Sequence, residues 1–435
     1  MRWLILAILV LVAAIALNLG LLAYAMYALV GVIVASRVLA NSWSAHLIAT
    51  RSLNREKAKI GDTVAVVTVL ENRSWLPIPW LLIEDLLPRR ALIHNPPNLQ
   101  VTGRRLQLVS FSGRARKTIL YQLKTNCRGY YQVGPLVAET GDVFGLYRRY
   151  RVLSEPSFVL VYPEVLRLEG FDIASRRPIG EVRMTHRLFE DPTRIAGVRG
   201  YQAGDPLNRI HWHASARTGV LHSKIYEPSS IAGATLLLDF HEKSFASHDE
   251  PVRSELAVTA TASIAGAICE MGQQVGLITN GHDAADRARR NEWRTELLHS
   301  REEALAAGMR EDNNRLQPLA VPTRRSNTQL TQILEMLARV EKTDGLSFAQ
   351  LVYESVSQIP TSATVIAILT AVTPDTVIAL GTLRRRGLAV TALVNVYDEY
   401  DFANLAGPLE AERIETRQLR DRAAIPTVCL KYVLR

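Results

Sequence analysis

Three cysteines in 435 residues, at positions 127, 269 and 429, are too scattered for a zinc or redox motif, and they suit a reducing compartment as small core residues. No glycine-rich loop runs into a Lys-Ser/Thr helix start, and no dinucleotide fingerprint is present, so nucleotide chemistry has no scaffold in the chain. Nucleophile and base are also poorly provided for: Ser215 lies near His211 and His213, but no orienting acid or oxyanion hole accompanies them. The chain therefore reads as a non-enzyme without a cofactor. Acidic residues are in short supply, 42 against 51 Lys and Arg, and the resulting charge of +9 is not spread evenly. Residues 51–155 carry 17 Lys or Arg and 8 Asp or Glu, a surplus equal to that of the whole chain. A basic arm for nucleic acid is excluded elsewhere, and next to a membrane the simpler partner for that surplus is anionic lipid.

What is abundant comes first in the chain. Hardly a polar residue interrupts Trp3 to Ala35 except Asn18-Leu19-Gly20, which predicts a transmembrane helical hairpin over 1–40 with Trp3 and Trp43 as interface anchors. Arg2 alone precedes the run, whereas Arg37, Arg51, Arg55, Lys57 and Lys59 follow it. By the positive-inside rule the following domains face the cytoplasm, at the inner membrane. Runs such as Thr63 to Leu70, Leu81 to Ile83, Thr118 to Leu123 and Phe158 to Tyr162, separated by Gly, Pro and Asn, predict an all-β sandwich over 51–165. Within it Trp75-Leu76-Pro77-Ile78-Pro79-Trp80 reads either as an edge of the core or as an apolar loop dipping into the bilayer. A polar connector occupies 166–195.

From 229 to 435 strands and helices alternate, which predicts an α/β domain with a parallel sheet and helices on both faces. Its strands are Ala234 to Asp239, Val275 to Thr279, Thr364 to Thr370 and Leu388 to Val394. A helical stripe from Leu256 to Met271 ends at Gly272, Ser326 with Gln329 forms a capping box, and Thr373-Pro374 opens a helix that Gly387 closes. Residues 282–325 read as a mixed-charge insert, a solvated helical hairpin or mobile loop.

Between these domains, 196–228 concentrates unusual residues. Gly204 permits a turn, Asp205 caps a helix and Pro206 fits its first position, so a helix is predicted from there, with Arg209, Trp212 and Ala216 on one face. Alternation then predicts a half-buried strand from Val220 to Glu227. The stretch Gly197-Val198-Arg199-x-Tyr201-x-x-Gly204-Asp205-Pro206-Leu207-x-Arg209-Ile210-His211-Trp212-x-Ala214-Ser215-Ala216-Arg217 resembles the signature of the family called domain of unknown function 58. One departure is Gly200, where that family usually has an acidic residue. The resemblance implies a membrane-anchored bacterial or archaeal protein whose α/β domain is a degenerate von Willebrand factor A-like, Rossmann-like fold. Such domains bind a metal through Asp-x-Ser-x-Ser after the first strand; here Asp239, His241 and Lys243 stand there, and the ammonium of Lys243 repels a cation. A site that has lost its metal is the expectation. The resemblance also implies a MoxR-type AAA+ ATPase as partner, the chain acting as a protein-binding adaptor in assembly or maturation of protein complexes; a cell-envelope or cell-shape scaffold is the alternative and a metal-dependent hydrolase a lesser one. Whether Arg199, Tyr201, Gly204, Asp205, Arg209, Trp212 and Arg217 form an internal clamp around the tryptophan or a docking surface, the residues leave open.

Overall fold

The structure is a computed structural model that describes residues 2–93, 97–142, 147–168, 190–202, 210–228, 233–286, 316–360 and 363–429. The chain divides into two compact units, Met1–Glu164 with His282–Asn314 and Leu334–Lys342, and Val165–Gly281 with Arg315–Ile333 and Thr343–Arg435.

The first unit opens with two helices, α1 (Arg2–Ala16) and α2 (Gly20–Ala45), that pack along one another across a turn in which Asn18 takes a positive φ of 52°. By length and composition α2 is the one described helix long and apolar enough to cross a membrane. It continues past the apolar run, and its buried residues Ile33, Ser36, Ala40 and Trp43 recur at helical spacing on a single stripe. Trp43 enters the β core directly.

Strands β1 (Leu47–Leu53), β2 (Lys57–Lys59), β3 (Thr63–Asn72) and β4 (Ile78–Asp85) precede a one-turn helix α3 (Arg89–Ile93). Then follow β5 (Leu99–Gly103), β6 (Leu106–Phe111), β7 (Arg116–Thr125), β8 (Gly129–Val133), β9 (Leu136–Gly141), β10 (Arg148–Ser154) and β11 (Ser157–Tyr162). Two antiparallel sheets, β1-β3-β7-β5 and β10-β9-β4-β6, and a mixed sheet, β2-β11-β8, result. Every second residue of β3, and of β7 from Ile119 onward, is buried, the period-two pattern of strands with one face on a core. Leu47, Leu70 and Ile119 of the first sheet meet Ile78, Leu81, Ile83, Phe111 and Leu136 of the second, and Trp43 closes the end of that core. The Trp75–Trp80 stretch divides: Ile78 and Leu76 pack on this core, Trp80 lies in β4, and Trp75 stays in solvent.

One charged cluster is sealed inside this unit. Arg51 and Asp85 pair at 2.7 Å with side chains 1% and 2% exposed, and the Tyr121 hydroxyl donates to the other Asp85 oxygen at 2.8 Å. Burial pushes the Asp85 carboxyl above the usual carboxylate range, against the opposing pull of Arg51 and Tyr121. Gly134, at φ 94°, leaves the room the guanidinium needs, because a side chain there would collide with it.

In the second unit β12 (Glu190–Gly200) pairs with β13 (His222–Pro228), with the helix α4 (Trp212–Thr218) between them. Part of the stretch read as a connector is thus a strand. Residues 169–189, including the remainder of that connector, lie outside the described residues. Next along the chain come β14 (Gly233–Leu238), α5 (Val252–Glu270), β15 (Gln274–Thr279), the two-residue β16 (His282–Asp283), β17 (Leu319–Arg324), α6 (Gln329–Arg339) and β18 (Val340–Glu341); β16, the later turns of α6 and β18, which pairs with β16, belong to the first unit. The chain ends with α7 (Phe348–Ser355), β19 (Ala363–Leu369), α8 (Pro374–Arg385), β20 (Ala389–Val394), α9 (Glu399–Ala411) and β21 (Glu415–Gln418).

The resulting sheet has the order β17-β15-β14-β19-β20-β21 and is mixed rather than all-parallel, because β17 runs antiparallel to β15. This corrects the insert: of 282–325, Leu319–Arg324 is an edge strand, where Pro322 is tolerated because an edge can leave a donor position open. Residues 287–315 lie outside the described residues. The expected capping box is also corrected. Gln329 turns inward instead and donates to the carbonyls of Val275 and Pro322, both at 2.8 Å, tying β15 to β17. A true capping box sits at Ser347 and Gln350, at the start of α7. Helix α5 is buried on most of its faces, through Ala, Ser, Thr and Gly as well as Leu and Ile, so the single stripe read from the sequence was too narrow; Met271 beyond it is exposed.

Candidate functional site

Two places in the second unit hold the residues singled out by the sequence. The first is the carboxyl edge of the sheet. In chain order the six strands run third, second, first, fourth, fifth, sixth, so the order reverses between β14 and β19, and Asp239 leaves β14 at that reversal point, where open α/β sheets bind ligands. Here the chain uses the position on itself. Asp239 is almost fully buried; Ser244 donates to one carboxylate oxygen at 2.6 Å, and Asn280 and the His241 amide donate to the other at 3.0 and 3.2 Å. Asn280 also accepts from the Phe240 amide at 2.7 Å and donates to the Leu346 carbonyl at 2.9 Å. His241 turns back to accept from the Lys243 amide at 3.1 Å, a local cap rather than a ligand position.

This donor set does not fit a hard cation. One carboxylate with both oxygens already accepting hydrogen bonds, beside an exposed ammonium at Lys243, offers too few free oxygens. At the neighbouring strand end Thr370 is engaged by Asn395 at 3.3 Å, and Arg253 binds Asn395 and the Arg420 carbonyl at 3.3 and 2.7 Å. Among the described residues no three His, Cys, Asp or Glu side chains gather as a metal site. Ser244 and Asn280 escaped the sequence reading, although Asn280 stands directly after a strand, where such groups converge.

Burial pushes the Asp239 carboxyl above its ordinary range, with Ser244, Asn280 and the His241 amide opposing. A carboxyl whose folded pKa exceeds the unfolded one binds its proton more tightly in the fold. Its stabilising contribution is complete below the unfolded value and is lost as pH rises through the folded value. Wild type should therefore gain stability over Asp239→Asn as pH is lowered from 8 toward 5, measured by urea unfolding of the full chain in mild detergent. A difference between the two proteins that does not change with pH would contradict the assignment.

The second place is the signature hairpin. Gly204, Asp205 and Arg209 lie outside the described residues. Of the helix expected from Pro206, residues 206–209 lie outside the described residues; Ile210 and His211 are not helical, and α4 starts at Trp212 with His211 as its cap, accepting from the Ala214 amide at 3.0 Å. Ser215 is buried and its hydroxyl receives the His222 amide at 2.8 Å, so this serine fastens the helix to β13. His211 and His213 meet edge to face at 6.5 Å. Arg199 and Tyr201 sit at the end of β12, where the Tyr201 amide donates to the Leu221 carbonyl at 2.8 Å. Trp212 is 67% exposed, so it is no buried centre for a clamp. Arg217 is exposed in the last turn of the same helix, where a cation suits the helix dipole, and Val198, Val220 and Leu221 are exposed on the strands and turn beside it. The exposed apolar groups and the arginine occupy one hairpin and its helix.

Residues 197–392 match the family model described as protein of unknown function DUF58. A curated relative, uncharacterized protein YeaD of Bacillus subtilis (strain 168), is 27% identical over 237 residues, which is 54% of this chain and 56% of that protein. Over these residues the chain is similar to the DUF58 family. The match thus spans little more than half of the relative's own length. Among solved structures, the CARDB domain of a Pyrococcus furiosus protein in complex with di-metal ions aligns with 26% of this chain and 91% of its own, at 10% identity and a TM-score of 0.19. A Salmonella alpha-2-macroglobulin mutant aligns with 28% of this chain and 7% of its own, at 16% identity and a TM-score of 0.20. Likenesses of that size assign no fold.

Proposed function

We propose that this protein is a membrane-tethered adaptor: α1 and α2 anchor it in the inner membrane, the rest faces the cytoplasm, and α4 with its hairpin presents a protein-binding surface. The exposure of Trp212 carries this reading. A family-signature tryptophan in solvent beside Arg217 and exposed apolar residues has the composition of a binding hot spot, aromatic and guanidinium together. The sheet order supports a von Willebrand factor A-like α/β domain, and the two facing sheets support a β-sandwich next to the bilayer. The internal bonding of Asp239 favours binding through surface contacts over a shared metal. The partner implied by the family resemblance is a MoxR-type AAA+ ATPase, with assembly or maturation of protein complexes as the joint task.

The test is capture of the ATPase by the full chain in its own membranes, with and without ATP. Nucleotide-dependent retention is the expected result. A chain that retains no ATPase in either condition would turn the reading toward an envelope scaffold.

A further inference from the structure

The β unit has one end at which α2 enters, and strand directions identify the loops there. Leu47 at the start of β1 pairs with Asn72 at the end of β3, Glu71 with Arg116 at the start of β7, and Ile78 at the start of β4 with Phe111 at the end of β6. Loops 73–77 and 112–115 therefore lie side by side at this end. Arg151 closes the last turn of α2 by donating to the carbonyls of Ser44 and Ala45 at 2.6 and 3.0 Å, and the Arg73 amide donates to the His46 carbonyl at 3.0 Å. Leu39 and Trp43 pack on the β core and α2 touches β9 and β10, so the last turns of α2, beyond Arg37, the first charge after the apolar run, lie against the β unit.

Trp75 stands at this end 75% exposed, and it is not on a loose loop. Asn72, fully buried, donates to the carbonyls of Leu76 and Ser112 at 2.9 and 3.1 Å and accepts from the Ser74 amide at 3.0 Å. The Ser74 hydroxyl accepts from the Leu76 amide at 3.1 Å, and the Arg114 amide donates to the Ser74 carbonyl at 2.9 Å. The two loops also approach so closely that a side chain at Gly113 would collide with the Trp75 carbonyl. A large ring held rigidly in water is unfavourable, whereas at the headgroup level of a bilayer its apolar body and N–H are both accommodated. Around it Arg73, Arg114 and Arg116 are exposed, and the half-buried Glu71 is the nearby acid, 4.0 Å from Arg73 and 3.3 Å from Arg116.

We propose that this rigid tip docks on the anionic phospholipid surface of the membrane that α2 enters, Trp75 seated among the headgroups and Arg73, Arg114 and Arg116 on their phosphates. The β unit is then held in one orientation rather than swinging from its tether. Docking rests on the reading of α2 as a membrane span, and the two fail separately in the following experiment. The full chain is reconstituted in vesicles of phosphatidylcholine, with or without phosphatidylglycerol, whose acyl chains carry bromine, and tryptophan emission is compared with that of Trp75→Phe. The component lost in Trp75→Phe should be quenched with phosphatidylglycerol present. In the triple variant Arg73→Glu/Arg114→Glu/Arg116→Glu the docked-to-undocked ratio should fall by about fivefold or more for each cation removed, with unfolding unchanged. A Trp75 component unquenched in both membranes, or quenched equally in pure phosphatidylcholine and in the triple variant, overturns the proposal. If alkaline carbonate strips the wild type from the vesicles, the span has failed instead; co-sedimentation of wild type against the triple variant with the same vesicles then reads docking directly, and equal sedimentation overturns it.

Discussion

Arg51→Met is expected to destabilise the β unit by about 3–5 kcal/mol, the cost of leaving a buried charge without its partner. The pair is almost entirely out of water, and Arg51 also reaches the Ser157 hydroxyl at 3.4 Å and the Glu155 carbonyl, so one guanidinium ties β1 to β4 and to the turn between β10 and β11. Methionine retains most of the apolar stem, so the loss reports on the charge. Without Arg51 the Asp85 carboxyl, already pushed up by burial, rises further. The variant should therefore be least affected in acid, where Asp85 is protonated and no charge is stranded. Urea unfolding of the full chain in mild detergent at pH 7 and pH 5 would show this as a deficit that shrinks on acidification. Arg51→Met combined with Asp85→Leu should recover much of it, because an apolar pair of similar volume replaces a buried ion pair at little cost. A deficit below about 1 kcal/mol at pH 7 would mean that water reaches the pair.

The second large effect is on binding. Trp212→Ala and Arg217→Ala, both on exposed faces of α4, should each leave stability within about 0.5 kcal/mol of wild type. If the proposed ATPase is the partner, each should weaken its capture about 30-fold or more, the loss of an aromatic or arginine anchor worth about 2 kcal/mol. Titration of the partner onto membranes bearing each variant reads the affinity, and urea unfolding reads the fold. Loss of stability in both variants with unchanged binding would make the hairpin a structural clamp.

The strongest elements were visible in the residues. Alternation in Thr63–Asn72 and Arg116–Thr125 and the apolar runs of β14, β15, β19 and β20 each report a local environment, core on one face or on both. Thr373-Pro374 caps α8, and Gly387, at φ 89°, follows its end, because both signals act within one turn. The edge strands were not visible. Glu415–Gln418 is charged, short and half-buried throughout, and Leu319–Arg324 contains a proline, so neither carries a periodic signature. Side chains that act across distance were equally hidden: Gln329 bridges two strands instead of capping its helix, and Asp85 is joined by Arg51 and Tyr121 from other strands. At the candidate sites Asp239 was legible as the residue ending the first strand, but Ser244 and Asn280, which occupy its oxygens, were not. For Trp212 the residues left a packed centre and a docking surface equally open, because exposure is set by the hairpin around it, which holds the ring in solvent.

Radical footprinting of the purified full chain, with and without the proposed ATPase partner, measures that solvent position residue by residue. Heavy labelling of Trp212 is expected in the free chain, almost none at Trp43, which is 5% exposed, and protection of Trp212 when the proposed partner is bound. Labelling of Trp212 as low as that of Trp43 in the free chain, or undiminished in the complex, would contradict this.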